Sequence, residues 1–158
     1  MKTFDNIIQK LSKKKKTISV MESCTGGGIM NAITNIEGAS EVFQFGTVTY
    51  SNEYKIKMGV PKEVIEQNTV YSIETADAMA RAISDYTKSN IGIGITGKLN
   101  RVDPNNLVGK DNIVFISIYN RDRDESIHSM VSAALSSREE NKDIMIEQII
   151  DIMEEKVI

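Results

Sequence analysis

Histidine is nearly missing from this chain: among 158 residues there is one, His128. A hydrolase built on a Ser-His-Asp or Cys-His arrangement would have to use it. It lies in Ser126-Ile127-His128-Ser129-Met130-Val131-Ser132, an alternating run that reads as a half-buried strand, where a histidine is a surface or packing residue. Any catalytic base is therefore expected to be something else. One cysteine, Cys24, excludes an intrachain disulfide and gives no metal cluster. There is no tryptophan, and the two prolines, Pro61 and Pro104, leave punctuation to Gly, Asn and Ser. No apolar run approaches the ~20 residues of a membrane span. The opening Met-Lys-Thr-Phe-Asp lacks the apolar core of a signal peptide, so a cytoplasmic location and no membrane partner are expected. A net charge of −3 argues against a broad nucleic-acid surface.

What is present is ordinary for a globular protein: 41% apolar and 26% charged residues. The length suits one domain over 1–158, burying about two-thirds of its unfolded surface. The stretch around which the chain is organised is Glu22-Ser23-Cys24-Thr25-Gly26-Gly27-Gly28. A β-branched run at 16–21 precedes it and a helical pattern at 27–36 follows, so it reads as a strand-to-helix loop. Three glycines let the backbone approach a ligand, and free N–H groups of a first helical turn favour an anion. Ligands in open α/β sheets bind beyond the carboxyl ends of strands, where this loop would lie. The spacing matches neither the phosphate loop ending in Gly-Lys-Ser/Thr nor G-x-G-x-x-G, which argues against an ATP or NAD site. A phosphate or carboxylate site and a plain tight connection both remain open for it.

The rest of the chain alternates helix and strand. Phe4, Ile7, Ile8 and Leu11 share a helix face within 3–12, closed by Lys13 to Lys16, a solvated run that complements the helix dipole. Residues 42–50 read as a strand, and Ser51 caps a helix start. A short helix at 61–67 and a stronger one at 73–88, capped by Ser72, follow. In Ile91-Gly92-Ile93-Gly94-Ile95 glycine replaces every second side chain, so a backbone or ligand can approach one face; the strand ends at Thr96-Gly97. Polar residues 98–111 form a loop, 113–119 and 126–134 a hairpin, and 138–155 a final helix.

Four polar clusters fall at element ends: Glu22/Ser23/Thr25, Ser40, Tyr50 with Lys55, and Thr96. A lysine five residues after a tyrosine, at a strand-to-helix junction, can project beside it. Burial lowers a lysine pKa, and a neighbouring hydroxyl then becomes a nucleophile without any histidine. No His/Cys/Asp cluster has ligand spacing, so no metal is implied.

At this point the sequence resembles a known family. Met21-Glu-Ser-Cys-Thr-Gly-Gly27 is similar to the A-E-S-C-T-G-G motif of the CinA C-terminal family, the nicotinamide-nucleotide amidases. The similarity continues through Glu37-Gly-Ala-Ser40, Gly46-Thr-Val-Thr-Tyr-Ser-Asn-Glu-Tyr-Lys55, Gly59-Val60, Val70-Tyr-Ser72, Ala78-Met-Ala80 and Gly94-Ile-Thr-Gly97. The resemblance implies a three-layer α/β/α sandwich with a mixed, mostly parallel sheet, self-associating as a homo-oligomer. It implies an amidohydrolase that turns nicotinamide mononucleotide into nicotinic acid mononucleotide and ammonia in pyridine nucleotide salvage, with no cofactor. The family's Ser, Tyr and Lys positions match Ser23, Ser40, Tyr50 and Lys55, its T-G threonine matches Thr96, and its G-D-R arginine matches Arg138, behind Ser136-Ser137 instead of Gly-Asp. On this reading Ser40, or second Ser23, attacks the carboxamide carbon or helps position a water. Lys55 takes the proton, and Tyr50 relays it or binds the oxyanion. Glu22, Thr25, Gly26, Gly27, Thr96, Gly97 and Arg138 bind substrate, with the phosphate on the N–H groups near Thr25 to Gly28. After Thr96-Gly97 the family continues Ile-Ala-Gly-Pro, where this chain has Lys98-Leu99-Asn100-Arg101, and its Pro-Val-Gly is Leu107-Val108-Gly109 here. The alternative reading is a catalytically altered nucleotide-binding or regulatory member of the same fold.

Overall fold

Two strands of this chain are buried along their whole length, and they set the architecture. In a computed structural model describing residues 2–101, 103–107 and 109–158, β1 (Ile18–Glu22) and β3 (Ile91–Gly97) bury every residue. Strands covered on both faces read as continuous apolar runs and lie at the centre of a parallel sheet. Met1, Val102 and Val108 lie outside the described residues.

The five-stranded sheet has the order β2-β1-β3-β4-β5, with β2 (Phe43–Val48) on one edge and β5 (Glu125–Ser132) on the other. β1 pairs in parallel with both β2 and β3, while β4 (Ile113–Asn120) runs antiparallel to β3 and β5. Four strands thus point one way and β4 against them. On one face α1 (Asp5–Lys14), α2 (Gly28–Thr34) and α6 (Arg138–Ile152) bury Phe4, Ile7, Leu11, Ile29, Ile33, Met145 and Ile149 against the sheet. On the other face α5 (Ile73–Thr87) packs Met79 and Ile83 onto Met21. The result is the expected three-layer α/β/α sandwich. Short helices α3 (Asn52–Lys57) and α4 (Lys62–Asn68) follow β2. Among the described residues no helix is long and apolar enough to cross a membrane.

The alternating glycines of β3 now have their reason. A Cβ at Gly94 or Gly92 would overlap the backbone carbonyls of Ala76 and Ala80, so α5 lies directly on the strand. The close approach is made by a helix, not a ligand. Ser51 and Ser72 cap as their positions predict, each accepting a hydrogen bond from the backbone N–H three residues on. Boundaries move slightly: α1 takes in Lys13 and Lys14 before Lys15 closes it in the left-handed conformation, and α6 passes into a π-turn at Met153–Val157.

Candidate active site

The parallel strands β1, β2 and β3 all end on one side of the sheet, and β4 begins there. The order β2-β1-β3 makes this the place where successive connections diverge and a crevice opens. A cleft of about 560 Å³ lies at this end, among its lining Ser23, Tyr50, Lys55, Tyr71, Lys98 and Arg138.

Its floor is the Ser23–Lys55 contact. Ser51 starts α3 and so turns Lys55 back over the end of β1. The Lys55 ammonium is 2.9 Å from Ser23 Oγ and 2.7 Å from the Thr49 carbonyl oxygen. Lys55 is 1% exposed, and burial lowers its pKa to about 8. Cys24 also lines the cleft, but burial pushes its thiol up to about 12, so it supplies no thiolate near neutrality. At the mouth, Arg138 Nη2 donates to the Tyr50 hydroxyl at 3.3 Å, and Tyr50 is 65% exposed.

Of the expected site residues, Ser23, Tyr50, Lys55, Gly97 and Arg138 line this one cleft. The other six, Glu22, Thr25, Gly26, Gly27, Thr96 and Ser40, are not among its lining. Glu22 is fully buried, and its carboxylate is the cap of α2: Oε1 accepts from Thr25 Oγ1, from Gly27 N–H at 3.3 Å and from Ile29 N–H at 3.0 Å, and Oε2 from Met30 N–H at 2.9 Å. The expected phosphate cradle near Thr25 to Gly28 is corrected on this ground, because the chain's own carboxylate fills it. Gly26 and Gly27, at φ of 58° and 102°, make the turn that brings those N–H groups onto Glu22. Thr96 is buried and donates to the Val70 carbonyl at 3.1 Å, a packing bond.

Ser40 is the largest correction. It is exposed on a 3-10 turn, Ala39–Glu41, just before β2. Phe43 at the start of β2 pairs with Ile18, whereas Val48 at its end pairs with Glu22. The length of β2, about 16 Å, separates the Ser40 turn from the cleft. The direction of β2 decides this, and a motif match carries no direction.

Several lining residues went unforeseen. Tyr71 donates to Asp103, and burial together with that bond raises the tyrosine pKa. Burial opposes the charge on Asp103, yet hydrogen bonds from Tyr71, Asn105 and Asn106 hold its pKa below the usual carboxylate value. Lys98 is buried at the start of a segment read from sequence as a polar loop. The one signal for it was a charged residue immediately after a buried strand.

The profile of the CinA C-terminal domain family matches residues 2–157. A competence-damage inducible protein of Caldicellulosiruptor bescii is 46% identical over 92 residues, which are 58% of this chain and 22% of that protein. The aligned part is thus under a quarter of that relative's length. The crystal structure of a competence/damage inducible protein from Agrobacterium tumefaciens is 27% identical with a TM-score of 0.83, covering 94% of this chain and 89% of that one. A CinA superfamily protein from Enterobacter cloacae, 20% identical, superposes with a TM-score of 0.86 over 100% of this chain and 94% of its own, a likeness of fold.

Proposed function

The chain belongs to the CinA C-terminal domain family, and from that premise we propose that it is an amide hydrolase acting on nicotinamide mononucleotide or a closely related nucleotide amide. The observation that carries this reading is one contact: a buried lysine of lowered pKa, 2.9 Å from a serine hydroxyl on the floor of a cleft. A neutral amine has two N–H groups and one lone pair. The Thr49 carbonyl takes one N–H, which leaves the lone pair for the Ser23 hydroxyl.

Ser23 Oγ then attacks the carboxamide carbon as its proton passes to Lys55, and the carbonyl oxygen becomes an oxyanion. Collapse of this intermediate breaks the C–N bond. The leaving nitrogen takes the proton from Lys55 and departs as ammonia, leaving an ester on Ser23. Water, deprotonated by the same amine, cleaves the ester to the acid. Tyr50, whose hydroxyl accepts a hydrogen bond from Arg138 at the mouth, relays the proton or supplies its hydroxyl to the developing oxyanion. The exposed apolar side chains of Phe45, Val48, Tyr50 and Tyr54, on and beside edge strand β2, support self-association. Cytoplasmic nucleotide salvage is the setting this chemistry suits.

The test is ammonia release from nicotinamide mononucleotide by the purified protein, beside a thermal-shift titration with the same nucleotide. Release that disappears in Lys55→Ala supports the hydrolase. The departure of residues 98–110 from the family's glycine-rich pattern favours a second reading, a nucleotide-binding or regulatory member, and a thermal shift without ammonia would select it.

A further inference from the structure

A nucleotide brings a phosphate, and most N–H groups of the glycine loop and first helical turn are already given away. Those of Gly27, Ile29 and Met30 are given to Glu22, while Gly26 N–H and Gly28 N–H donate to the Ser23 and Thr25 carbonyls. Counter-charge has to come from the cleft wall. Among the described residues, the charged side chains lining the cleft are Lys55, Lys98, Arg101 and Arg138 against Asp103. Lys55 is engaged with Ser23 and Thr49 on the floor. Asp103 is tied into its own loop by Tyr71, Asn105 and Asn106, so its oxygens already accept hydrogen bonds.

Lys98 is the unusual member. Its side chain is 1% exposed, its ammonium lies 5.0 Å from the centre of the Tyr71 ring, and its acceptor is Asp111 Oδ1 at 3.3 Å. The Asp111 side chain is 48% exposed and spends much of its charge on solvent. An ammonium has three N–H donors, and among the described residues Asp111 is its one hydrogen-bond acceptor. Asp103 lies near enough to interact with its charge, yet the ammonium keeps N–H donors that an incoming anion can take.

We propose that Lys98, with Arg101 and Arg138, forms the anion subsite of this cleft and holds the phosphomonoester of the substrate. One ammonium and two guanidinium forks suit a dianion with three acceptor oxygens, where a lone carboxylate would leave positive charge in excess. The identity of the remaining ligand rests on the amide-hydrolase reading; the anion subsite does not. Lys98 is thereby a specificity-determining residue: it selects phosphorylated over unphosphorylated amides.

Calorimetric titration with ribose 5-phosphate, with ribose as the uncharged control, tests the subsite directly. The native chain is expected to bind the phosphate ester well above ribose, and Lys98→Met to weaken it about 10- to 100-fold. Equal binding of the two sugars, or native affinity in Lys98→Met, overturns the proposal. Lys98→Gln serves the same comparison if the apolar variant does not fold. Arg101→Ala, at an exposed position, is expected to lose about 2- to 10-fold. In turnover, the kcat/KM ratio of nicotinamide mononucleotide to nicotinamide riboside falls in Lys98→Met by the same factor as the affinity. Absence of ammonia from both amides would defeat the hydrolase reading, while the sugar titration would still decide the subsite.

Discussion

Two corners stand side by side at the carboxyl end of this sheet, and they behave in opposite ways. The corner after β1 holds three glycines, two hydroxyls and a helix start, yet it turns in on itself: Glu22 takes the N–H groups of Gly27, Ile29 and Met30. The corner after β3 looks plainer in sequence, yet it delivers the buried Lys98 to the cleft wall. A glycine-rich turn offers an anion site only when nothing within the chain reaches its donors first. Here a carboxylate at the last residue of the strand does so. The first corner therefore works as structure, except for Ser23, which lies on the cleft side opposite Lys55.

The contrast breaks most decisively at the floor of the cleft. Ser23→Ala and Lys55→Met are each expected to lower kcat for ammonia release about 10³-fold. The double variant should be little worse than either single one if the two groups act as the proposed unit. Near-native release by either would remove that residue from the chemistry. At the closed corner the expected effect is on folding instead. Glu22→Ala leaves three backbone N–H groups and the Thr25 hydroxyl without their acceptor. It should cost about 3 kcal/mol, lowering Tm by about 6–12 °C for a chain of this size. The folded fraction should keep its affinity for ribose 5-phosphate. Calorimetry showing an unchanged Tm would mean that the corner is not held by its carboxylate.

Much of the fold was legible because it rests on local rules. Ser51 and Ser72 cap where a serine three residues before a free N–H should, and the glycines of β3 announce a close neighbour even though they do not name it. The Tyr50–Lys55 junction was legible for the same reason, since α3 fixes where Lys55 points. What stayed hidden depends on long-range geometry. Whether Glu22 faces the ligand or its own loop is settled by how α2 docks back on β1. The burial of Lys98 follows from the Tyr71 ring and Asp111, both distant along the chain. Motif order placed Ser40 and Lys55 near each other, yet β2 carries them apart.

The pH profile sharpens the assignment of the floor. Burial holds the Lys55 pKa to about 8, and in its proposed role as base the amine works only when neutral. Lowering the pH below about 8 protonates it, so kcat/KM should fall about tenfold per unit on the acid side and level off above. A flat profile between pH 6 and 8 would exclude Lys55 as the base.

The smallest expected effect tests the comparison from the far end of the molecule. Ser40 is exposed at the amino end of β2 and, among the described residues, is not part of the cleft lining. A surface substitution there should change stability by at most about 0.5 kcal/mol, and Ser40→Ala should alter ammonia release less than about twofold. A hundredfold loss would carry a definite meaning, because the cleft could then receive Ser40 only from a second copy. Activity would in that case fall on dilution, and mixing Ser40→Ala with Lys55→Met chains would restore part of it. Release that is independent of concentration, together with an active Ser40→Ala, keeps the whole reaction on the Ser23–Lys55 floor of a single chain.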